Sequence, residues 1–155
     1  MCCIHTFLRR CNERSLQSQW WVYAGETAKL PLSDRPHLLN DRGHIAWPKG
    51  RSVLWLGQDF QLPASLSGHP LKGYSAKLCL GWWAEQAQVF VNGQLVQEGD
   101  LFDATAKILL AHDIQGGEPF KIRLRLVSPG HDPGALVSSE LLFEQLGDPG
   151  GLPEP

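Results

Sequence analysis

The pair Asn92-Gly93 constrains this chain more than any other feature, because it lies between two short apolar runs in the sequence VFVNGQLV. A two-residue type I′ turn needs positive φ at both central residues, and Asn-Gly adopts that conformation at low cost. The pattern therefore predicts a β-hairpin with strands at Ala87–Val91 and Gln94–Gln97. Since side chains alternate along a strand, one face of the first strand carries Ala87, Val89 and Val91, and the other carries Gln88 and Phe90.

Two neighbouring stretches show the same alternation. A predicted strand that ends at the Trp82-Trp83 pair precedes the hairpin and places Leu78, Leu80 and Trp82 on one face. The stretch Phe120–Val127 alternates most regularly, with Phe120, Ile122, Leu124 and Leu126 facing in and Lys121, Arg123 and Arg125 facing out. One wet face and one buried face is typical of an antiparallel sheet.

Further strands are predicted at Ser52–Leu62 and Ala135–Glu144. In the first of these, Val53 and Trp55 lie opposite an apolar face, so we expect the strand to begin buried on both sides. Helix is expected to be limited to one or two turns, one of them near Ala106–Leu110, with Thr105 as its N-cap candidate. Short strands separated by turn-rich loops predict an all-β protein with the architecture of an antiparallel β-sandwich.

The composition is that of one globular domain. The chain has 155 residues, of which 43% are hydrophobic and 19% are charged, a balance that allows a sizeable core. The net charge of −2 gives no reason to expect nucleic acid or an anionic membrane as a partner. No run of about 18 apolar residues is present, so no membrane span is expected.

The two ends of the sequence differ from its centre. Residues 1–19 are predicted to form a poorly ordered N-terminal extension, residues 20–146 the sandwich, and residues 147–155 a Gly- and Pro-rich tail or linker. Three cysteines lie in the extension and Cys79 lies in a predicted strand. This distribution forms no disulfide framework, and it favours a reducing, cytoplasmic setting.

Four residues are weak candidates for carbohydrate binding. Trp83 should point away from the core face that holds Trp82, and its ring could stack on the apolar side of a sugar. Trp47 is the second aromatic candidate. His131 and Asp132 are adjacent in the loop SPGHDPG, where the alternative interpretation is an Asp that accepts local backbone N–H bonds in a turn. No metal site and no catalytic residue are predicted.

A longer pattern resembles a known family. The sequence WWAEQAQVFVNGQLVQEGDLFD, followed by RLVSPGHDPGAL, resembles the N-terminal domain of bacterial glycoside hydrolase family 38 α-mannosidases. The resemblance extends over roughly residues 20–144. It implies a jelly-roll, galactose-binding-like sandwich, with catalysis in a separate domain that holds zinc through Asp and His ligands.

The resemblance therefore predicts a non-catalytic accessory domain. Its partner would be the catalytic domain of the parent hydrolase, which it would pack on and position. The zinc and the Asp nucleophile of the family would belong to that other domain, and this chain would need no cofactor of its own. A free-standing carbohydrate-binding module and a protein-interaction domain remain the alternatives.

Overall fold

The computed structural model describes residues 11–17, 19–24, 28–31, 40–66 and 68–145, and it is built from β-strands. In this part of the chain there is no helix, and accordingly none that is long and apolar enough to cross a membrane. The strands in chain order are β1 (Cys11–Ser15), β2 (Trp21–Ala24), β3 (Ala28–Pro31), β4 (Ile45–Trp47), β5 (Val53–Gln61), β6 (Ser65–Leu66), β7 (His69–Pro70), β8 (Ser75–Trp83), β9 (Gln86–Val91), β10 (Gln94–Gly99), β11 (Thr105–Ala111), β12 (Pro119–Val127) and β13 (Gly134–Glu144).

Two antiparallel sheets form the sandwich that the sequence predicts. The six-stranded sheet has the order β10-β9-β12-β5-β2-β3. The five-stranded sheet has the order β1-β13-β8-β11, and β4 also pairs with β13. Strands β6 and β7 form a separate two-stranded ribbon.

The predicted hairpin is confirmed. Strands β9 and β10 pair as neighbours, and Asn92 and Gly93 have φ values of 52° and 85°. Asn92 also ties the turn to β12: its backbone N–H donates to the carbonyl of Lys121 at 2.8 Å, and its Oδ1 accepts the backbone N–H of Lys121 at 2.8 Å. β10 continues to Gly99, two residues beyond the predicted end, after a bulge between Leu95 and Gln97.

The core lies between the sheets and follows the predicted alternation. Along β12, Ile122, Leu124 and Leu126 are buried. Trp82 is buried as well, in agreement with its predicted core position. Val53 differs, because it is 46% exposed, so β5 does not begin buried on both sides. The buried apolar set includes Leu16, Trp20, Leu56, Leu62, Leu71, Leu78, Val89, Ile114, Leu136, Leu141 and Phe143.

The helical turn predicted at Ala106–Leu110 is wrong, because these residues lie within β11. Ala106 is buried and Ile108 half-buried, while Thr105 before them and Lys107 between them are exposed. The side chains therefore alternate with a period of two, and the backbone of the strand is paired along β8. Thr105 opens this strand opposite Gly81 and caps no helix.

The predicted start of the sandwich at residue 20 is too late. β1 pairs with β13 over Cys11 to Ser15, and Leu16 is fully buried. The indole of Trp20 then donates a hydrogen bond to Ser139 Oγ at 2.9 Å, which fixes the entry of the chain to β13. The tail predicted at 147–155, and residues 1–10 of the predicted extension, lie outside the described residues.

Leu124→Ala should remove core packing from β12. Leu124 is 1% exposed, and truncating such a side chain leaves a cavity that costs about 2–5 kcal/mol of unfolding free energy. Lys121→Ala, at an exposed position of the same strand, is the matched control and should change it by no more than about 0.5 kcal/mol. Urea denaturation measures both, and equal midpoints for the two variants would contradict this facing of β12.

Gly99→Ala should destabilise the sandwich by overpacking. A Cβ at Gly99 would overlap the ring of Trp82 and the backbone carbonyl of Asp103. We expect a loss of about 1–3 kcal/mol of unfolding free energy.

Gly130→Ala is the control for this substitution, since its Cβ would meet nothing closer than Arg51 Nε at 3.9 Å. We expect its thermal midpoint to be close to that of the unsubstituted chain. A Gly99→Ala variant with the same thermal midpoint as Gly130→Ala would show that the Trp82 ring moves aside freely.

Candidate functional site

The structure brings Trp83 and Asp132 together at one end of the five-stranded sheet. The indole Nε1 of Trp83 donates a hydrogen bond to Asp132 Oδ2 at 3.1 Å, which joins the end of β8 to the loop before β13. Trp83 is 38% exposed, and His131, next to Asp132, is exposed. The Asp132 carboxylate thus contacts a distant indole, which differs from the local turn bonds that the loop composition favours. The arrangement offers one oriented aromatic ring at the surface.

Trp47 is not part of this surface. It is 4% exposed, and its indole donates to the carbonyl of Ser52 at 2.8 Å. β4 pairs with β13 so that Trp47 faces Gly134, and a Cβ at Gly134 would overlap the Trp47 ring. The candidate assignment of Trp47 to sugar stacking is therefore wrong, because its ring fills the space that this glycine leaves.

A second aromatic surface lies on the outer face of the six-stranded sheet. The rings of Trp55 and Phe90 are stacked, with centroids 5.9 Å apart and an interplanar angle of 26°. Both side chains are half-buried, so each keeps exposed ring surface. Arg125 lies between them in the strand order, with Trp55 as its partner in β5 and Gln88 as its partner in β9. We call Trp55, Phe90, Arg125 and Gln88 the outer-face platform.

Arg123 occupies the next outward position of β12. Its Nη1 donates to Asp59 Oδ1 at 2.8 Å, and its guanidinium lies 5.3 Å from the centroid of the Trp21 ring. Gly57 leaves room for this contact, since a Cβ there would crowd both the Trp21 ring and the Arg123 side chain. Arg123 faces outward as predicted. An ion pair and an aromatic ring hold its side chain, which is therefore more restrained than that of a solvated surface arginine.

A polar cavity of about 460 Å³ borders the outer-face platform. Its walls are the hairpin strands β9 and β10 and the loop that follows β10. Gln88 belongs both to the platform and to the wall of the cavity. The lining residues are Gln86, Ala87, Gln88, Glu98, Gly99, Asp100 and Asp103.

The side chains around the cavity are ordered by hydrogen bonds. Gln88 Nε2 donates to Glu98 Oε2 at 3.2 Å, and Arg125 Nη1 donates to Gln86 Oε1 at 3.4 Å. Asp100 Oδ1 accepts the backbone N–H groups of Phe102 and Asp103 at 2.9 and 2.8 Å. These contacts fix amide and carboxylate groups at the wall, where they can accept hydrogen bonds from a hydroxylated ligand.

Phe102 is the most exposed large apolar side chain in the described part of the chain, at 99%. It stands in the loop between β10 and β11, between two residues of the cavity wall, Asp100 and Asp103. The hydrogen bonds to Asp100 Oδ1 hold this loop in a turn. The turn therefore presents an aromatic ring to solvent beside the cavity.

Three carboxylates elsewhere in the described residues have backbone or ion-pair partners. Glu118 accepts the backbone N–H groups of Gln115 and Gly116, both at 2.8 Å, and these bonds lower its pKa. Glu144, which is buried, pairs with Lys77 at 3.0 Å, and Glu85 pairs with Arg51 at 3.0 Å. These contacts stabilise turns and strand pairs.

The described residues offer no fit for a zinc ion. Within the ranges that the structure covers, no three His, Cys, Asp or Glu side chains are grouped so that they could hold a metal ion. Cys79 is a free thiol, and burial raises its pKa, which lowers its thiolate fraction and its reactivity at neutral pH.

Sequence reasoning missed the outer-face platform and the cavity. The alternation in β9 and β12 can be read from the sequence, and it does put Phe90 and Arg125 on outward faces. The sequence does not show the cross-strand register that sets Trp55, Arg125 and Gln88 in one row. The cavity also depends on the loop at Asp100–Asp103, whose position no strand pattern gives.

Comparison with known proteins identifies the fold and leaves the family open. No family model matches the sequence, and no curated protein matches it. Solved structures do match: a β-glucuronidase from Bacteroides uniformis has a TM-score of 0.56 at 13% sequence identity, over 87% of this chain and 18% of that one. A β-glucuronidase from Ruminococcus gnavus has a TM-score of 0.55 at 10% identity, over 92% of this chain and 30% of that one.

These similarities establish a β-sandwich fold that this chain shares with part of each β-glucuronidase. At such low identity they establish the fold alone. The chain spans less than a third of the length of the two enzymes that it matches. Its sandwich is therefore similar to one part of a larger protein in each case.

Proposed function

We propose that this chain is a non-catalytic accessory domain of a glycoside hydrolase of α-mannosidase-like type, which packs on and positions a catalytic domain. The observation that carries the proposal is the size of the structural match. The sandwich corresponds to 18% of one β-glucuronidase and 30% of another, so most of each of those enzymes lies in other parts of the chain.

The site chemistry of the described residues supports the same proposal. A zinc-assisted reaction needs about three protein ligands and an open position, and the grouping of side chains here provides no such set. Glu118 accepts backbone N–H groups, and Glu144 pairs with Lys77. In the proposal, zinc and the nucleophile both belong to the catalytic domain.

The α-mannoside part of the proposal rests on the sequence resemblance. The run WWAEQAQVFVNGQLVQEGDLFD forms the end of β8, the hairpin and the following loop. The solved structures in the comparison are named as β-glucuronidases, and a shared fold does not choose between these sugars. A reducing, cytoplasmic location is part of the proposal, because the four cysteines, three of them within residues 1–11 and one at Cys79, have no spacing typical of a disulfide framework.

The isolated chain should not hydrolyse 4-nitrophenyl α-mannoside, with or without added zinc, because the catalytic groups are proposed to lie elsewhere. The assay is release of nitrophenol by the purified chain, with Asp132→Asn as the control for the His131-Asp132 pair. Turnover that survives purification and disappears in Asp132→Asn would contradict the accessory-domain proposal.

The positioning role can be tested on a parent enzyme that joins this sandwich to a domain with Asp and His zinc ligands, which is the partner that the proposal expects. Deleting the sandwich should then lower the melting temperature and the kcat/KM of the remaining part. A catalytic domain whose stability and kinetics do not change on deletion would argue against packing and positioning.

A further inference from the structure

We propose that the outer face of the six-stranded sheet is a binding site for a neutral saccharide, which would contact the outer-face platform and fill the adjoining cavity. The inference goes beyond the accessory role, because such binding requires no catalytic domain. It also concerns a different place from the Trp83–Asp132 pair, which lies at the end of the five-stranded sheet.

The aromatic part of the site is ordered before any ligand binds. Trp55 and Phe90 are already stacked on each other at 5.9 Å, so little side-chain entropy remains to be lost when a ligand covers them. Both side chains are half-buried, and their stacked rings form an apolar strip on the outer face of the sheet. The C–H side of a pyranose ring is a chemical match for such a strip.

The polar part of the site begins next to the aromatic strip. Arg125 is the β12 residue that stands opposite both Trp55 and Gln88, so Trp55 and Gln88 are about two strand spacings, or about 10 Å, apart. From Gln88 the cavity continues to Glu98 and the loop at Asp100. A ligand of one or two sugar rings can therefore contact the aromatic strip and the cavity wall together.

The chemistry of the cavity wall selects ligands that donate hydrogen bonds. Three carboxylates and two side-chain amides line it, and no lysine or arginine is among the lining residues. Sugar hydroxyl groups can donate to carboxylates and amide oxygens and accept from amide N–H groups. A uronic acid would bring a further negative charge against the three carboxylates Glu98, Asp100 and Asp103, which is unfavourable at close range.

A protein partner fits this face less well. The cores of protein interfaces are depleted of Asp and Glu, whereas the cavity on this face is lined by the three carboxylates Glu98, Asp100 and Asp103. The concave shape and the few convergent polar groups beside an aromatic surface are more typical of a small-molecule site. The combination favours a saccharide as the occupant.

The test is a titration of the ¹⁵N-labelled 155-residue chain with methyl α-D-mannopyranoside, methyl β-D-glucopyranoside and methyl β-D-glucuronide, followed by NMR and calorimetry. We expect at least one of the two neutral glycosides to shift the indole signal of Trp55 and the amide signals of β9 with a Kd of about 1 mM. The glucuronide should bind about tenfold more weakly or not measurably.

Two variants locate the binding. Gln88→Glu keeps the shape of the side chain but removes the amide donors and adds a charge, and it should weaken binding about tenfold. Gln61→Glu makes the same change at an exposed position of β5 and should leave binding unchanged, and the melting temperatures of both variants show that they fold. Trp55→Ala should abolish binding, while Trp83→Ala should not affect it.

Three results would overturn the proposal: no response to either neutral glycoside, tighter binding of the glucuronide, or loss of binding in Trp83→Ala with Gln88→Glu unaffected. If the rest of the parent enzyme covers the Trp55 ring and no glycoside shifts its signal, the outer face would instead be a surface for domain packing. These outcomes are independent of whether the chain hydrolyses a mannoside, so failure here and failure of the accessory role can be told apart.

Discussion

The pairing of β12 with β5 on one side and β9 on the other organises the molecule. Nine consecutive residues of β12 have partners in β5, and six of them also have partners in β9. Because side chains alternate along a strand, this register decides which residues enter the core and which reach solvent. A slip of one residue would bury Arg123 and Arg125 and expose Leu124. The apolar side of β12 thus fixes the position of the polar side.

The same constraint explains how the outer face is assembled. Trp55, Arg125 and Gln88 come from three strands that are distant in sequence, and they form one row because their inward neighbours must meet in the core. Arg123 occupies a parallel row with Phe90 and Gly57. The chemistry available at the surface is therefore a consequence of packing on the other side of the sheet.

Sequence reasoning predicts the parts of this fold that depend on local patterns. The Asn92-Gly93 turn and the alternation of β12 are visible in a few residues, and both are confirmed. The stretch Ala106–Leu110 is predicted as helix because a short apolar run after Thr105 is compatible with both the 3.6-residue period of a helix and the two-residue period of a strand. Its partner strand β8 decides the outcome, and no local signal reports that pairing.

Site prediction meets the same limit. A tryptophan in a strand can face in or out, and Trp47 faces in because β4 pairs with β13 at Gly134. Trp83 was placed correctly at the surface by its position next to Trp82. The hydrogen bond from Trp83 to Asp132 joins segments that are 49 residues apart, and composition gives no distance between them. The outer-face platform was missed for the same reason, since it exists only in the assembled sheet.

The bulge in β10 has a consequence for the solubility of an isolated sandwich. β10 is an edge of the six-stranded sheet, and it carries two exposed apolar side chains, Leu95 at 46% and Val96 at 41%. A regular, apolar edge strand is a template for a strand from another molecule. The irregularity between Leu95 and Gln97 breaks the regular spacing of N–H and carbonyl groups at that point. A second chain approaching this edge therefore meets an interrupted ladder, which disfavours the growth of a continuous sheet between copies.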